Sequence, residues 1–385
     1  MTASRPLSEP APHHTLSGTT VPVLRRLVGV SLPLVCLSTP LRAQEPEDDP
    51  WAVAPEAIEF ALNQPLFRSG DVLELTLSAD FRTILREDRG DEEGEERDAT
   101  LAFTQDDGTV VTLEMKTQTR GNWRRNRSNC QFPPLWLDLD KDDEALIGTV
   151  FEGQNRLKLY VTCRPGNRDY EQYIYTEYVI YPAYNALTDA SFRARPARVT
   201  YVDTSGREDT FTSNAFVLEH KDQLAARNEA VPVEVAQLHP ALVHQESAAL
   251  TELFNYMVGM TDYSGVYMHN VEPIRRVDGA MIPVAYDFDW SGTVNARYAR
   301  PDPSLPIRNV RQRHFQGICR DIDYAPVFAR FVEKRDEMLA AVTGFELLEE
   351  DRRERVMEYW EEFFEMAADP GRHGSILRPC TPMPS

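Results

Sequence analysis

The feature that most limits how this chain can fold is a change of hydrophobic period near residue 240. Before that point, short segments alternate apolar and polar residues, which is typical of strands with one buried face. The clearest alternating segments are 73–77, 109–113, 135–139, 157–161, 197–202 and 215–218. After it, the apolar residues are spaced by three and four, and Gly259 stands where a first helix would stop. The sequence therefore predicts a strand-rich first part and a mainly helical second part.

Helical spacing is also found once inside the strand-rich part. Between residues 168 and 187, four apolar or aromatic residues fit one helical face: Tyr170, Ile174, Tyr178 and Tyr181. Two further helices are predicted at about 325–342 and 347–367, and the tail from Asp369 is expected to be frayed. We therefore expect an α+β protein of two lobes.

The predicted organisation has five parts. They are a signal peptide (1–43), an acidic leader (44–55), a strand-rich N-terminal lobe (56–236), a helical C-terminal lobe (237–368) and a tail (369–385). The 42% apolar content of 385 residues suffices for one large core or two ordinary ones.

Charge and hydropathy exclude two classes of protein. The formal charge of -20, from 41 basic and 61 acidic residues, argues against nucleic acid as the main partner, because phosphate contacts need clustered Lys and Arg. No apolar run approaches the roughly 20 residues that a membrane-spanning helix needs. We expect no transmembrane helix once the signal is removed.

The N-terminal residues have the pattern of a secretory signal. Arg25 and Arg26 precede an apolar stretch, 27–37, and Ala43 supplies a small residue for cleavage. The pattern predicts export to the periplasm or the medium. Cys36 is a poor lipoprotein site, because Val35 is bulky where a small residue is expected.

The mature chain keeps four cysteines, which an exported protein meets in an oxidising compartment. They are Cys130, Cys163, Cys319 and Cys380. Cys130 with Cys163 is the preferred disulfide, since both flank strand-like segments of the same part of the chain. The alternative is four buried free thiols.

The segment from 250 to 299 carries the candidate chemistry. A helix ends at Gly259, a loop with Asp262 and Asn270 follows, and a hairpin of strands 271–274 and 281–285 leads to 287–289, Asp-Phe-Asp. Kinase-like folds present a catalytic Asp, a metal-binding Asn and a second metal-binding Asp in this order. We therefore expect a two-lobed, protein-kinase-like fold.

Phosphoryl transfer explains why these residue types would be needed. A carboxylate orients and deprotonates the acceptor hydroxyl, the role predicted for Asp262, and oxygen ligands hold Mg²⁺ or Mn²⁺ against the phosphates. Asn270 with Asp287 or Asp289 would supply the metal ligands. Alternatively, Asp262 is a turn former, Asp289 is an N-cap for a segment starting at Trp290, and His269 is structural.

These motifs resemble the CotH-like atypical kinases, a family related to bacterial spore-coat kinases, and a group of exported bacterial proteins. The resemblance covers roughly residues 110–300 and rests on short motifs in one order: Arg120-Gly121-Asn122, Phe216-Val217-Leu218-Glu219, Asp262, Asn270 and Asp287-Phe288-Asp289. It implies ATP or another nucleotide as donor, and a divalent metal. Where the family has Ser after Arg-Gly-Asn and a nearby Lys-rich strand, this chain has Trp123-Arg124-Arg125.

By analogy with kinases, Lys158 is the candidate for contacting the nucleotide, because strand alternation points it opposite to Leu157 and Leu159. Its expected ion-pair partner is Glu177, with Glu171 as the alternative.

A cluster of arginines follows the alternating segment 109–113: Arg120, Arg124, Arg125 and Arg127. Arg120 would meet phosphates, and Gly121 would allow the backbone to approach the nucleotide closely. The alternative is a solvated hairpin tip that balances an acidic protein.

The function expected from the sequence is an exported, kinase-like phosphotransferase that moves a phosphoryl group from a nucleotide to a hydroxyl on protein or envelope material. The main alternative is a non-catalytic envelope protein that keeps the kinase-like fold and binds a partner or glycan. A third reading, a metal-dependent hydrolase, is less favoured, because only His269 lies near the carboxylates and hydrolase sites commonly use several His.

Overall fold

Seven strands of the first part of the chain close into a barrel. The structure is a computed structural model that describes residues 49, 51–87, 94–105 and 107–384, and all of them belong to one compact unit. The barrel strands are β1 (Leu73–Ala79), β2 (Arg97–Thr104), β3 (Val110–Thr119), β4 (Leu135–Asp138), β5 (Arg156–Val161), β6 (Ala194–Asp203) and β7 (Phe211–Leu218). Their order around the barrel is β1-β2-β3-β4-β5-β7-β6.

The barrel closes where β6 returns to β1. These two strands pair in parallel, with Leu73 opposite Ala197 and Ala79 opposite Asp203, whereas the other neighbouring strands are antiparallel. Alternate residues of β1 are buried as the sequence pattern predicts, and Leu77 is wholly enclosed. The inward-facing residues of the strands therefore build one core inside the barrel.

Helices and a small second sheet form the rest of the described chain. The helices are α1 (Pro55–Leu62), α2 (Phe81–Glu87), α3 (Arg168–Tyr178), α4 (Ile180–Leu187), α5 (Lys221–Arg227), α6 (Gln245–Val258), α7 (Ala325–Thr343), α8 (Glu350–Ala367) and α9 (Pro370–Leu377). Strands β8 (Ala230–Pro232), β9 (Val271–Arg276) and β10 (Met281–Ala285) form an antiparallel sheet in the order β10-β9-β8. A second apolar core packs α3, α4 and α6–α9 together.

The predicted two-lobed, protein-kinase-like fold is wrong. The structure has a closed mixed barrel of seven strands in place of a separate strand-rich lobe. Alternation identified six of the seven barrel strands, but it shows only which face of a strand is buried. It does not show which strands are neighbours, and the parallel pairing of β1 with β6 joins segments far apart in sequence.

The segment after residue 369 is ordered by two features. Residues 370–377 form α9, with Asp369 accepting a hydrogen bond from the N–H of Gly371 at 2.9 Å, and a disulfide joins Cys380 to Cys319. The expectation of a frayed tail is therefore wrong. Pro370 stands at the first helical position, where proline is compatible with the start of a helix.

Gly259 ends α6 as predicted and fixes the path into the next loop. Its φ is +68°, and a Cβ there would lie 2.2 Å from the hydroxyl of Tyr359 on α8. The same hydroxyl would lie 2.5 Å from a Cβ at Gly292, whose N–H donates to the carbonyl of Gly259. One tyrosine of α8 thus packs against two glycines that flank the segment 260–291.

The structure contains two disulfides, which is consistent with an exported protein. The preferred pair, Cys130 with Cys163, is confirmed, and Cys319 pairs with Cys380. In the described ranges, no helix is both long and apolar enough to cross a bilayer. The predicted signal peptide (1–43), Cys36 and half of the predicted acidic leader lie outside the described residues.

The Cys130–Cys163 bridge gives a stability prediction. Replacing both cysteines by alanine is expected to lower the free energy of unfolding by about 3–4 kcal/mol, because the bridge closes a loop of 33 residues in the unfolded chain. Urea denaturation without reductant measures the change. Val110→Ala, on an exposed position of β3, should leave stability within about 0.5 kcal/mol of the parent. An unchanged midpoint for the double variant would contradict the bridge.

Candidate functional site

A cavity of about 430 Å³, here called the polar pocket, lies where β3–β5 of the barrel meet the β9–β10 hairpin and the loops around it. Most of the predicted site residues line this one cavity: Arg120, Gly121, Lys158, Asp262, Asn270, Asp287 and Asp289. Glu177 is wholly buried on α3 and is absent from the lining. Residues from four separated parts of the chain therefore meet at one place.

Cations form the barrel side of the polar pocket. Arg120 directly follows β3, and its guanidinium carbon lies 4.7 Å from the ring centre of Tyr160 and 5.3 Å from that of Trp136. Lys158 on β5 places its Nζ 4.2 Å from the ring centre of Tyr286. Leu157, its neighbour in the strand, is wholly buried in the barrel, so alternation turns Lys158 toward the pocket.

The ion pair of Lys158 differs from the predicted one. Its Nζ lies 4.0 Å from a carboxylate oxygen of Glu272, and it forms no ion pair with Glu177 or Glu171. Glu171 instead accepts hydrogen bonds from the hydroxyl of Ser213 and the N–H of Asn214, both at 2.7 Å. Sequence analysis missed Glu272, although alternation along β9 carried a signal, because Val271 and Pro273 on either side are buried.

Burial and neighbouring charge change the acidity of Lys158. Burial and then the charge of Arg120 lower its pKa from the ordinary 10.5 to about 8, while Glu272 and Asp287 oppose the change. Two cations are therefore held near each other, with Glu272 and Asp287 as nearby counter-charges. Among the described carboxylates, none forms an ion pair with Arg120.

The arginine cluster is mostly buried. Arg124 and Arg125 are 7% and 3% exposed, and Arg120 is similarly enclosed, so only Arg127 fits the solvated-tip alternative. Arg124 donates to the carbonyl of Val161, and its Nε and Nη1 have no hydrogen-bond partner among the described groups. Burial lowers its pKa, but Tyr298 and then Asp289 and Glu177 outweigh burial, so the pKa of Arg124 is raised.

The loop that carries Asp262 is folded back on itself. Backbone hydrogen bonds join Ser264 and His269 in both directions, at 2.9 and 3.1 Å. Asn270 donates its side-chain N–H to the main-chain carbonyl of Asp262 at 2.7 Å, which leaves the amide oxygen as a possible ligand. Asn270 has a φ of +53°, a conformation that Asn tolerates better than most residues.

Asp262 and His269 form a hydrogen-bonded pair. His269 Nε2 lies 3.0 Å from Asp262 Oδ1, and both residues line the polar pocket. This bond is the main reason that the pKa of His269 is raised. His269 therefore has a polar partner, as expected for a structural histidine, and that partner is the predicted catalytic carboxylate.

Asp287 and Asp289 are held rigidly after β10. The φ of Asp287 is +62°, and its N–H donates to the hydroxyl of Tyr181 at 3.1 Å. Asp289 accepts a hydrogen bond of 3.0 Å from Tyr298. The segment that follows Asp289 is a series of turns and no helix begins there, so Asp289 is not an N-cap.

Two carboxylates that line the polar pocket, Asp287 and Asp289, interact with the buried carboxylate of Glu177 outside the lining. Burial, followed by the charge of Asp287, raises the pKa of Asp289 to about 7. Burial also raises the pKa of Glu177, followed by the charges of Asp289 and Asp287. The N–H of Phe288 interacts with Glu177, but neither carboxylate oxygen makes a hydrogen bond of normal geometry with a described group. A bound cation would relieve this repulsion.

The oxygen ligands in the polar pocket could hold Mg²⁺ or Mn²⁺ only together with ligands from the substrate. Within the part of the chain that the structure describes, no group of three or more His, Cys, Asp or Glu is arranged to hold a metal. Mg²⁺ is commonly held by one or two carboxylates together with substrate phosphates. The polar pocket offers oxygen ligands of this type: the carboxylates of Asp287 and Asp289 and the amide oxygen of Asn270.

Comparison with known proteins assigns no role to the residues of this site. No model of a known protein family matches the chain, and the curated proteins give no match. The role of each residue must therefore be argued from the contacts in the polar pocket.

The shifted pKa of Lys158 predicts a pH dependence of stability. Between pH 8 and 10.5 the unfolded chain binds more protons at this residue than the folded chain, so the free energy of unfolding should rise with pH. Relative to Lys158→Met, the wild type should gain stability from pH 8 to 10, as measured by urea denaturation.

Lys116→Met, at a half-exposed lysine of β3, is the matched control and should run parallel to the wild type. A Lys158→Met curve that also runs parallel to the wild type would contradict the burial of a charged Lys158.

Proposed function

We propose that this chain is an exported, metal-dependent phosphotransferase that moves a phosphoryl group from ATP or another nucleotide to a hydroxyl on protein or envelope material. One observation carries the proposal. The polar pocket contains two cations on its barrel side, Arg120 with no ion-pair partner among the described carboxylates and Lys158 with one at 4.0 Å, and it contains the mutually repelling carboxylates of Asp287 and Asp289. A polyphosphate with a divalent cation supplies both missing charges.

The barrel side would bind the donor phosphates. Arg120 and Lys158 are stacked against aromatic rings, which limits their movement and keeps them in the pocket. Arg120 has no ion-pair partner among the described carboxylates, and Lys158 has one at 4.0 Å. An anion entering between them would gain charge-assisted hydrogen bonds without first breaking a strong ion pair.

The opposite side would hold the metal and the acceptor. Asp287, Asp289 and Asn270 are the proposed ligands, and the metal would neutralise charge on the transferred phosphoryl group. Asp262 would orient the acceptor hydroxyl and take its proton. The acceptor oxygen then forms a bond to phosphorus as the bond to the departing nucleoside diphosphate oxygen breaks. The proposal rests on the local resemblance to the CotH-like proteins and on the pocket, not on a shared overall fold.

Export belongs to the same proposal. The pattern over residues 1–43 is proposed to be a signal peptide cleaved after Ala43, and the two disulfides support an oxidising compartment. Such a signal peptide would direct the protein to the periplasm or to the medium. The acceptor would then be a molecule of the envelope or the medium.

One contact favours a non-catalytic binding protein as the second candidate. The carboxylate of Asp262 is already hydrogen-bonded to His269, so it is less available to an acceptor hydroxyl. In that case the polar pocket would bind a phosphate-bearing ligand without transferring a group. Binding and transfer must therefore be measured separately.

Asp287 tests the metal site. Mg²⁺ with ATP at about 100 times its Kd should stabilise the wild type by about 2.7 kcal/mol, and Asp287→Asn should abolish that gain, because the main carboxylate ligand is lost. Asparagine tolerates the positive φ at this position, so the fold should persist. Thermal unfolding with and without Mg²⁺ and ATP measures the effect.

Asp278→Asn, on the exposed turn of the β9–β10 hairpin, is the matched control and should keep the full gain. Undiminished, metal-dependent stabilisation of Asp287→Asn by ATP would rule out this metal site.

Asp262 distinguishes the enzyme from the binding protein. Asp262→Asn should retain stabilisation by Mg²⁺ and ATP but lower transfer of labelled γ-phosphate to added protein by about 100-fold or more, because the proton acceptor is lost. Transfer by the wild type with none by Asp262→Asn supports catalysis. Nucleotide binding with no transfer by the wild type would favour the binding protein.

A further inference from the structure

A second cavity of about 430 Å³, here called the apolar groove, lies beside the loop that carries Asp262. Its walls come from the start of α6, from that loop, from residues near 315 and from the C-terminal segment 379–384. Five prolines contribute to its lining: Pro240, Pro283, Pro379, Pro382 and Pro384. A concave, mainly apolar cavity of this size is typical of a binding site.

One loop separates the apolar groove from the polar pocket. Asp262, His269 and Asn270 line the pocket, whereas residues 263–267 line the groove. The backbone pairing of Ser264 with His269 brings the two ends of this loop together. A molecule seated in the groove would therefore lie close to Asp262.

The wall opposite this loop is fixed before any ligand arrives. The Cys319–Cys380 disulfide ties the C-terminal segment to the chain near residue 318. Backbone hydrogen bonds reinforce it, from the N–H of Cys319 to Thr381 at 2.8 Å and from the N–H of Thr381 to Gly317 at 2.9 Å. A preformed wall lowers the entropic cost of binding.

Among the described residues that line the apolar groove, no charged side chain is unpaired. Its charged residues, Glu252 and Arg320, bind each other through two hydrogen bonds of 2.6 and 3.3 Å, and the Arg320 side chain is almost wholly buried. His314 also lines the groove, and burial lowers its pKa, which favours the neutral ring. In a chain of formal charge -20, this uncharged surface favours an apolar occupant.

We propose that the apolar groove binds an apolar side chain of an extended polypeptide whose nearby serine, threonine or tyrosine is the phosphoryl acceptor. This inference rests on the proposed phosphotransferase function and specifies its acceptor. The loop 262–270 contributes residues to both cavities, so one acceptor could contact both. The negative charge of the chain opposes docking on an anionic lipid surface, so a polypeptide is the favoured acceptor.

Gly265 offers a way to fill the apolar groove without disturbing the fold. It lines the groove, its φ lies outside the left-handed region, and a Cβ there would meet no atom within 4 Å. Gly265→Phe should occupy the space meant for the ligand. Gly374→Phe is the matched control, because Gly374 has equally open surroundings on α9 and does not line the groove.

Two labelled, unstructured peptides test the proposal without nucleotide. Each carries one serine, flanked in one peptide by leucines and in the other by glutamines. By fluorescence anisotropy, the wild type should bind the leucine peptide about tenfold more tightly or better, as expected for burial of one aliphatic side chain. Gly265→Phe should lose this preference, and Gly374→Phe should keep it.

Tyr267→Ala provides a second, truncating variant. Tyr267 lines the apolar groove and is 65% exposed, so its removal should weaken leucine-peptide binding without unfolding the chain. Equal binding of the two peptides by the wild type would overturn the proposal. So would a leucine preference that survives in both groove variants, or binding to phosphatidylglycerol vesicles with no peptide preference.

Stabilisation by Mg²⁺ and ATP, measured on the same preparations, separates the two proposals. Nucleotide stabilisation without a leucine preference would overturn the peptide groove and leave the phosphotransferase standing. A leucine preference that depends on Gly265, without nucleotide stabilisation, would keep the groove as a peptide site and remove the phosphotransferase.

Discussion

Parallel pairing of β1 with β6 is the constraint on which the remaining structure depends. It closes the barrel, and closure leaves no free strand edge among the seven. Because β3, β4 and β5 are then fixed side by side, Arg120, Trp136 and Lys158 meet on one side of the polar pocket. The cations of the pocket are thus positioned by the pairing of β3, β4 and β5 within the closed barrel.

Local patterns predicted the elements well and their arrangement poorly. The segment 157–161 alternates, which correctly turned Lys158 away from the barrel core, and Gly259 correctly ended α6. Both features depend only on near neighbours in sequence. Barrel closure depends on partners more than a hundred residues apart, and no local pattern encodes which strands meet.

In the site, too, features that depend on near neighbours were predicted, and a contact that depends on long-range packing was not. The order of Asp262, Asn270 and Asp287 along the chain predicted residues that now line one cavity. The predicted ion pair of Lys158 with Glu177 was wrong. Whether Glu177 or Glu272 reaches Lys158 depends on how α3 and β9 pack around the barrel. Glu177 instead lies buried near two aspartates, where its charge is costly unless a cation or proton compensates it.

The contact of Tyr359 with Gly259 and Gly292 has a consequence for how this protein can diverge. A Cβ at either glycine would collide with the tyrosine hydroxyl, and at Gly292 it would also lie 2.4 Å from the backbone carbonyl of Val310. The φ of +68° at Gly259 would strain any larger residue there as well. Both positions should therefore remain glycine whatever residue stands at 359, although α8 is absent from the polar pocket. In a set of related sequences, both glycines would be retained and would mark how the C-terminal helices are coupled to the loop of Asp262.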